Sequence, residues 1–171
     1  METWDAIRAR RAIRDYDTRP INPEDLNRIL EAGRRSPSSS NEQRWAFVLI
    51  QDRDQLQRIS QVWRGAGHIA KAPAAVGLVA PVSDDPRIIG SINYDLGQVA
   101  MAMMVTAADL GIGSRTASVH DYVLASEILD IPGDLRLAWL LGLGYPADRA
   151  LKPIERPDRR SFDEVVHHDR W

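Results

Sequence analysis

At 171 residues, 44% hydrophobic and 27% charged, the chain is sized and composed for one globular domain with one core. A net charge of −2 excludes generic nucleic-acid binding, which rests on a strong basic surplus. With no cysteine at all, it excludes a disulfide framework, thiolate metal sites and a cysteine nucleophile, and it agrees with a cytoplasmic address.

The opening Met1–Asp5 lacks the basic run and apolar stretch of a signal peptide. Thr3 is expected to cap a first helix, with Asp5 in its first turn and Trp4 and Ile7 spaced for one buried face. A cluster of arginines follows: Arg8, Arg10, Arg11, Arg14 and Arg19. In a near-neutral protein, such a local cluster suits a small anion better than a polyanion. Asn22-Pro23-Glu24-Asp25 is a strong helix start, with Leu26, Ile29, Leu30 and Gly33 following at helical spacing.

Next comes a polar loop, Pro37-Ser38-Ser39-Ser40-Asn41-Glu42-Gln43-Arg44, rich in uncharged donors and acceptors. It runs into a buried strand from Trp45 to Ile50. Asp54 is expected to start a third helix with Leu56, Ile59, Val62 and Trp63 inside, and Pro73 precedes a strand from Ala74 to Val79. A long helix from about Ile92 to Leu110 is apolar over more than one stripe, the mark of burial on several sides; in a chain this small a subunit interface explains it. Its uncharged run from Leu96 to Asp109, interrupted by Gln98 and Thr106, reads as too short to cross a membrane. Gly111-Ile112-Gly113 ends that helix and Ser114–Ser118 reads as a strand. Asp121 caps a short helix, and Leu137–Leu141 is a central strand closed by Gly142-Leu143-Gly144-Tyr145-Pro146. From Leu151 the chain is charged and aperiodic, and the anchors Phe162, Val165, Val166 and Trp171 predict that residues 151–171 wrap a partner.

The familiar catalytic signatures are absent. His68, His120, His167 and His168 do not have zinc-site spacing, so no metal is expected. There is no Gly-x-Ser-x-Gly elbow and no phosphate-binding GxxxxGK[ST] loop. Gly111-Ile112-Gly113-Ser114-Arg115-Thr116 begins like a dinucleotide fingerprint but follows a helix and lacks the third glycine. Arginines remain the clearest lead. Arg10, Arg11 and Arg14, with Arg159 and Arg160 far along the chain, are able to converge on one phosphate, whose geometry guanidinium forks match.

Taken in order, these segments resemble the FMN-dependent nitroreductase superfamily across essentially the whole chain. Arg10-Arg11-Ala12-Ile13-Arg14 is similar to its N-terminal phosphate-binding run. The span from Ala32-Gly33 to Trp45 is similar to its Ala-Gly-x-x-x-Pro-Ser-x-x-Asn-x-Gln-Pro-Trp motif. Gly111-Ile112-Gly113-Ser114, Gly144-Tyr145-Pro146 and Arg159-Arg160-Ser161-Phe162-Asp163-Glu164-Val165-Val166 resemble its later motifs. Two positions depart: Ala12 stands where the family has serine, and Arg44 where it has proline.

The resemblance implies an α+β, three-layer α/β/α fold with a mixed, mostly antiparallel sheet, one FMN-binding domain over residues 1–171, and an intertwined homodimer. It implies that Arg10, Arg11, Ala12 and Arg14, with Arg159 and Arg160, hold the phosphate side of FMN. Pro37, Ser38, Ser39, Asn41 and Gln43 would reach the flavin from the other subunit, and Gly113 would lie beside its ring. NADH or NADPH would pass hydride to flavin N5, and a small-molecule acceptor such as a nitroaromatic or quinone would then take the electrons, with no catalytic side chain required. Flavin fragmentation, reductive dehalogenation and flavin binding without turnover are the alternatives on the same fold.

Overall fold

A computed structural model describes residues 1–171. Nine regular elements follow in chain order: α1 (Thr3–Ala9), α2 (Pro23–Arg34), β1 (Ala46–Ile50), α3 (Arg53–Ile59), β2 (Ala74–Pro81), α4 (Pro86–Asp109), β3 (Gly113–Ser118), α5 (Tyr122–Leu129) and β4 (Leu135–Gly144). The strands form one sheet in the order β1-β2-β4-β3, every ladder antiparallel. Its parallel component is a single bridge between Ala12 and Ser114. One face carries α2 and α4, packed through Leu26, Ile29, Leu96, Val99 and Met103 onto Val76, Leu78, Leu141 and Leu143. The other carries α3, a 3-10 segment (Arg64–Lys71) and α5, packed through Leu56, Ile59, Ile69 and Ile128 onto Ala75, Val79, Leu137 and Leu140. The three-layer α/β/α arrangement is therefore present. β2 is central and buried on both faces, which explains its unbroken apolar run.

Several boundaries differ from the sequence expectation. α1 starts after Glu2, with no side-chain cap, and Thr3 is its first residue; it buries Ala6 and Ala9, while Trp4 is 66% and Ile7 39% exposed. The two large apolar residues face outward because α1 lies along α4 rather than on the sheet. α3 starts at Arg53 and is capped two residues before Asp54, by Asp52 accepting from Gln55 N–H. Trp63 lies beyond it in extended chain, past the 3-10 turn Ser60–Val62. α4 begins not at Ile92 but at Pro86, capped by Asp85, because the cap and the proline outweigh the weak apolar pattern of its first turns. At 24 residues, α4 is long and apolar enough by length and composition to cross a membrane, contrary to the shorter reading. Eight of its residues are instead buried within this fold. β4 continues through Gly142 and Gly144, where the Tyr16 ring lies so close that a Cβ on Gly144 would sit 2.7 Å from Tyr16 Cδ1. The tail packs through Leu151; beyond it Phe162, Val165 and Trp171 are exposed around one 3-10 turn, Phe162–Glu164.

Candidate functional site

The arginine run leaves α1 and lies along the free edge of β3. Ile13 N–H donates to Ser114 O at 3.1 Å, and Ile13 and Tyr16 are buried against Ala9, Ala72, Ala108 and Leu151. Gly113 makes this approach feasible, since a Cβ there would meet Ile13 Cγ1 at 2.6 Å. Extended chain alternates its side chains, so Arg10, Ala12 and Arg14 share the side opposite Ile13. Arg10 and Arg14, like Arg115, Arg136 and Arg160, enter none of the chain's ion pairs. Arg11 donates to Ala150 O at 3.2 Å and Lys152 O at 3.4 Å, tying the start of the tail to this strand. Arg8 does the same through Glu155, at 2.7 Å. Arg159 donates to Asp158 O, and it and Arg160 follow a few residues after the tail crosses Arg11 and Arg8.

The polar loop is strained and internally braced. Ser40, Asn41 and Gln43 have φ of 52°, 56° and 51°, a left-handed conformation that non-glycine residues adopt only at a cost. Ser38 Oγ accepts from Gln43 N–H at 2.9 Å, and the Gln43 amide donates to Asn41 O and Oδ1 at 3.2 Å. Arg44, in place of proline, pairs with Glu42. The loop is anchored on α4: Ser39 N–H donates to both carboxylate oxygens of Asp95, at 3.1 and 3.2 Å. Asp95 is 3% exposed and is the only acidic residue in the buried set. Much of the hydrogen-bonding capacity of Ser38, Ser39 and Gln43 is thus spent on holding a backbone shape. Pro37 and the Asn41 Nδ2 group remain at the surface.

A cleft of about 490 Å³ opens at the far end of β3, lined by Asn93, Ser118, His120, Tyr122, Arg136 and Trp139. A register shift between Leu78 and Val79 skips Ala138, so that Leu137 and Leu140, three residues apart, both face the α3–α5 side. That bulge turns Arg136, Ala138 and Trp139 together into the cleft, where strict alternation would have split them. Trp63 stacks on His120 with centroids 5.0 Å apart. Three buried side-chain nitrogens have no acceptor: Arg11 Nε beside the start of β3, Arg115 Nη1 on β3 itself, and Arg136 Nε by the cleft. Buried donors left unpaired are costly, but the three do not form one line: Arg11 is on the chain beside β3, Arg115 faces the α3–α5 side of the sheet with Ala117, and Arg136 enters the cleft with Asn93 of α4. The phosphate of a group such as FMN is instead matched by Arg10 and Arg14, which share one side of the strand and enter no ion pair. Arg14 also acts on the interior behind β3. Burial, aided by the Arg14 charge and opposed by a hydrogen bond with Gly65, holds the His68 imidazole below its ordinary value. Burial pushes the Tyr16 hydroxyl upward; it donates to Ile13 O.

Within one chain, the loop and the arginines stand apart. The loop sits at Asp95 and the arginine strand packs near Ala108, about 20 Å along the axis of α4. At the cleft, Asn93 and Asp95 point to nearly opposite sides of the helix, two residues being roughly 200° of turn. Between them, Ile7, Tyr94, Gly97, Met101, Ala102 and Val105 line an apolar groove.

The Nitroreductase family model matches residues 7–88. A proposed NADH dehydrogenase/NAD(P)H nitroreductase of Archaeoglobus fulgidus is 30% identical over 174 residues, 96% of each chain. The chain belongs to the nitroreductase family. Within the family, the NAD(P)H-type FMN reductase of Bacillus subtilis is 27% identical over 92% of this chain and 69% of its own. The fold of an FMN-dependent nitroreductase from Clostridium difficile superposes with a TM-score of 0.84, at 22% identity over 97% of this chain and 98% of that one. The family's nitroreductase-like sheet is thus present here. Asp95, Arg115, Arg136 and the Ser118–Trp139 cleft were missed by sequence reasoning. A lone acid in an apolar helix, and an Arg and a Trp in an otherwise apolar strand, were the available signals.

Proposed function

We propose that the chain is an NAD(P)H-dependent FMN oxidoreductase whose two sites form between two copies of it. What supports this reading is the pair Arg10 and Arg14, on one side of the strand beside β3 and in none of the chain's ion pairs, which leaves a phosphate as their natural acceptor. When bound, FMN supplies the chemistry of hydride acceptance from NAD(P)H and electron delivery to a second substrate. Arg10 and Arg14 hold the phosphate, with Arg159 and Arg160 closing over it; Ala12 offers no hydroxyl there. Arg11 fastens the tail to the strand, and Gly113 keeps the strand close to β3.

The loop of a second copy, with Pro37, Ser38, Ser39, Asn41 and Gln43, covers the ring, because the loop of the same chain lies about 20 Å away along α4. The apolar groove of α4 and the outward Trp4 and Ile7 form the face between copies, and residues 151–171 wrap the partner. One slot serves donor and acceptor in turn, so no side chain acts as nucleophile or acid–base pair. The acceptor is a nitroaromatic or quinone, and reduced nicotinamide places the work in the cytoplasm.

The test is an anaerobic absorbance spectrum of FMN-reconstituted protein before and after NADH or NADPH. Bleaching of the flavin band is expected with at least one donor. Failure to retain flavin at all would reject the reading. Flavin held but left oxidised by both donors would select a binding role, a second reading that the missing hydroxyl at Ala12 favours.

A further inference from the structure

The cleft at the end of β3 carries a charge that the general oxidoreductase reading does not use. No carboxylate is among the residues lining it, yet the guanidinium of Arg136 is there. Arg136 enters no ion pair, its Nε is buried without an acceptor, and its head is held 5.7 Å from the centroid of the Tyr122 ring. An arginine in the second position of a central strand is expensive to bury alone. Here the bulge in β4 brings it round to the cleft rather than into the α3–α5 core.

Apart from the apolar Val119 and Ala138, the other lining groups are donors or flat surfaces. Asn93, Ser118 and Tyr122 offer neutral hydrogen-bonding groups. Trp139, 38% exposed in the middle of the sheet, and His120, backed by its stack on Trp63, offer aromatic faces. Flat aromatic walls select a conjugated ring, and a guanidinium fork selects a carboxylate on its edge.

Resting on the oxidoreductase reading above, we propose that Arg136 sets acceptor specificity by binding the carboxylate of a flat aromatic or conjugated acid. With 4-nitrobenzoate as the probe, the balance is simple. NAD(P)H and one proton supply two electrons and two protons; the nitro group loses one oxygen as water and becomes nitroso; NAD(P)+ leaves. The carboxylate on Arg136 is unchanged throughout.

The experiment compares 4-nitrobenzoate with its neutral analogue 4-nitrobenzamide in the flavin-loaded protein and in Arg136→Gln and Arg136→Lys. Two readouts are taken: KM and kcat for each acceptor, and equilibrium binding of each by quenching of tryptophan fluorescence. The acid is expected to bind and to show a KM about ten- to a hundred-fold better than the amide, the span of one charge-assisted hydrogen-bonded contact. Arg136→Gln is expected to erase that preference with little change in kcat, in flavin content or in the rate of flavin bleaching by NAD(P)H, and Arg136→Lys to restore part of it.

Equal binding of acid and amide by the unaltered protein overturns the proposal. So does an Arg136→Gln protein that loses flavin, which would put Arg136 in the cofactor cradle, or one whose defect is in the KM for NADH or NADPH, which would assign it to the donor's phosphates. Failure of NAD(P)H to bleach the flavin would strike the oxidoreductase reading alone. The binding titration would still decide whether Arg136 selects the acid.

Discussion

His68 shows how a single side chain can set a pH limit on the fold. It lies behind β3, its Nε2 3.3 Å from Arg115 O, and is held neutral by burial and by the nearby Arg14. Folding therefore lowers its pKa from 6.5, and the unfolded chain binds the proton more readily. Its contribution to stability is complete above pH 6.5 and is lost as pH falls through the depressed folded value. Thermal melts across that window should show Tm falling on acidification, and His68→Gln should flatten the dependence. An identical slope in both proteins would clear His68 of the role. Nothing in the sequence distinguished His68 from the three other histidines, because its burial comes from Gly142 on a strand more than seventy positions away, whose missing side chain leaves room for the ring. The arginines were legible for the opposite reason: they are neighbours in sequence.

Among the elements, α4 does most to organise the site. Its apolar stripes were readable, and so was the strand–helix succession around it. What could not be read was that Asp95 turns inward to hold the polar loop, since the partner N–H lies 56 positions earlier in the chain. The loop's three left-handed residues make that anchor consequential. Without it, a shape costing about 1–3 kcal/mol at each such residue loses a main brace. Asp95→Ala should leave far-UV circular dichroism unchanged, since water reaches the exposed Ser39, and should raise the dissociation constant for FMN several-fold by fluorescence titration. Unaltered FMN affinity would mean that the loop keeps its shape unaided. The bulge in β4 was likewise invisible in a strand of nearly continuous apolar character, since register is set by pairing across the sheet.

For the whole molecule, the central matter is that the polar loop and the arginine strand, the proposed halves of one site, lie about 20 Å apart along α4. The groove between them is open enough to be tested without harming the single chain. A Cβ at Gly97 meets nothing within 4 Å, so Gly97→Arg fits the isolated fold and obstructs only a neighbour. Light scattering should report a dimer for the unaltered protein and a monomer for the variant, with helicity kept and FMN affinity lost. A dimer that persists would move the interface elsewhere.

The distance along α4 also means that defects in the two halves should complement each other. A chain crippled at Arg10 and Arg14 and a chain crippled in the loop would each be inactive alone. Unfolded together and refolded as a mixture, half of the pairs would be mixed, and each mixed pair would hold one intact site beside one doubly damaged one. About a quarter of the full activity should return, as expected of two-fold symmetry with shared sites. Inheritance of two different broken copies would then be milder than inheritance of either one twice.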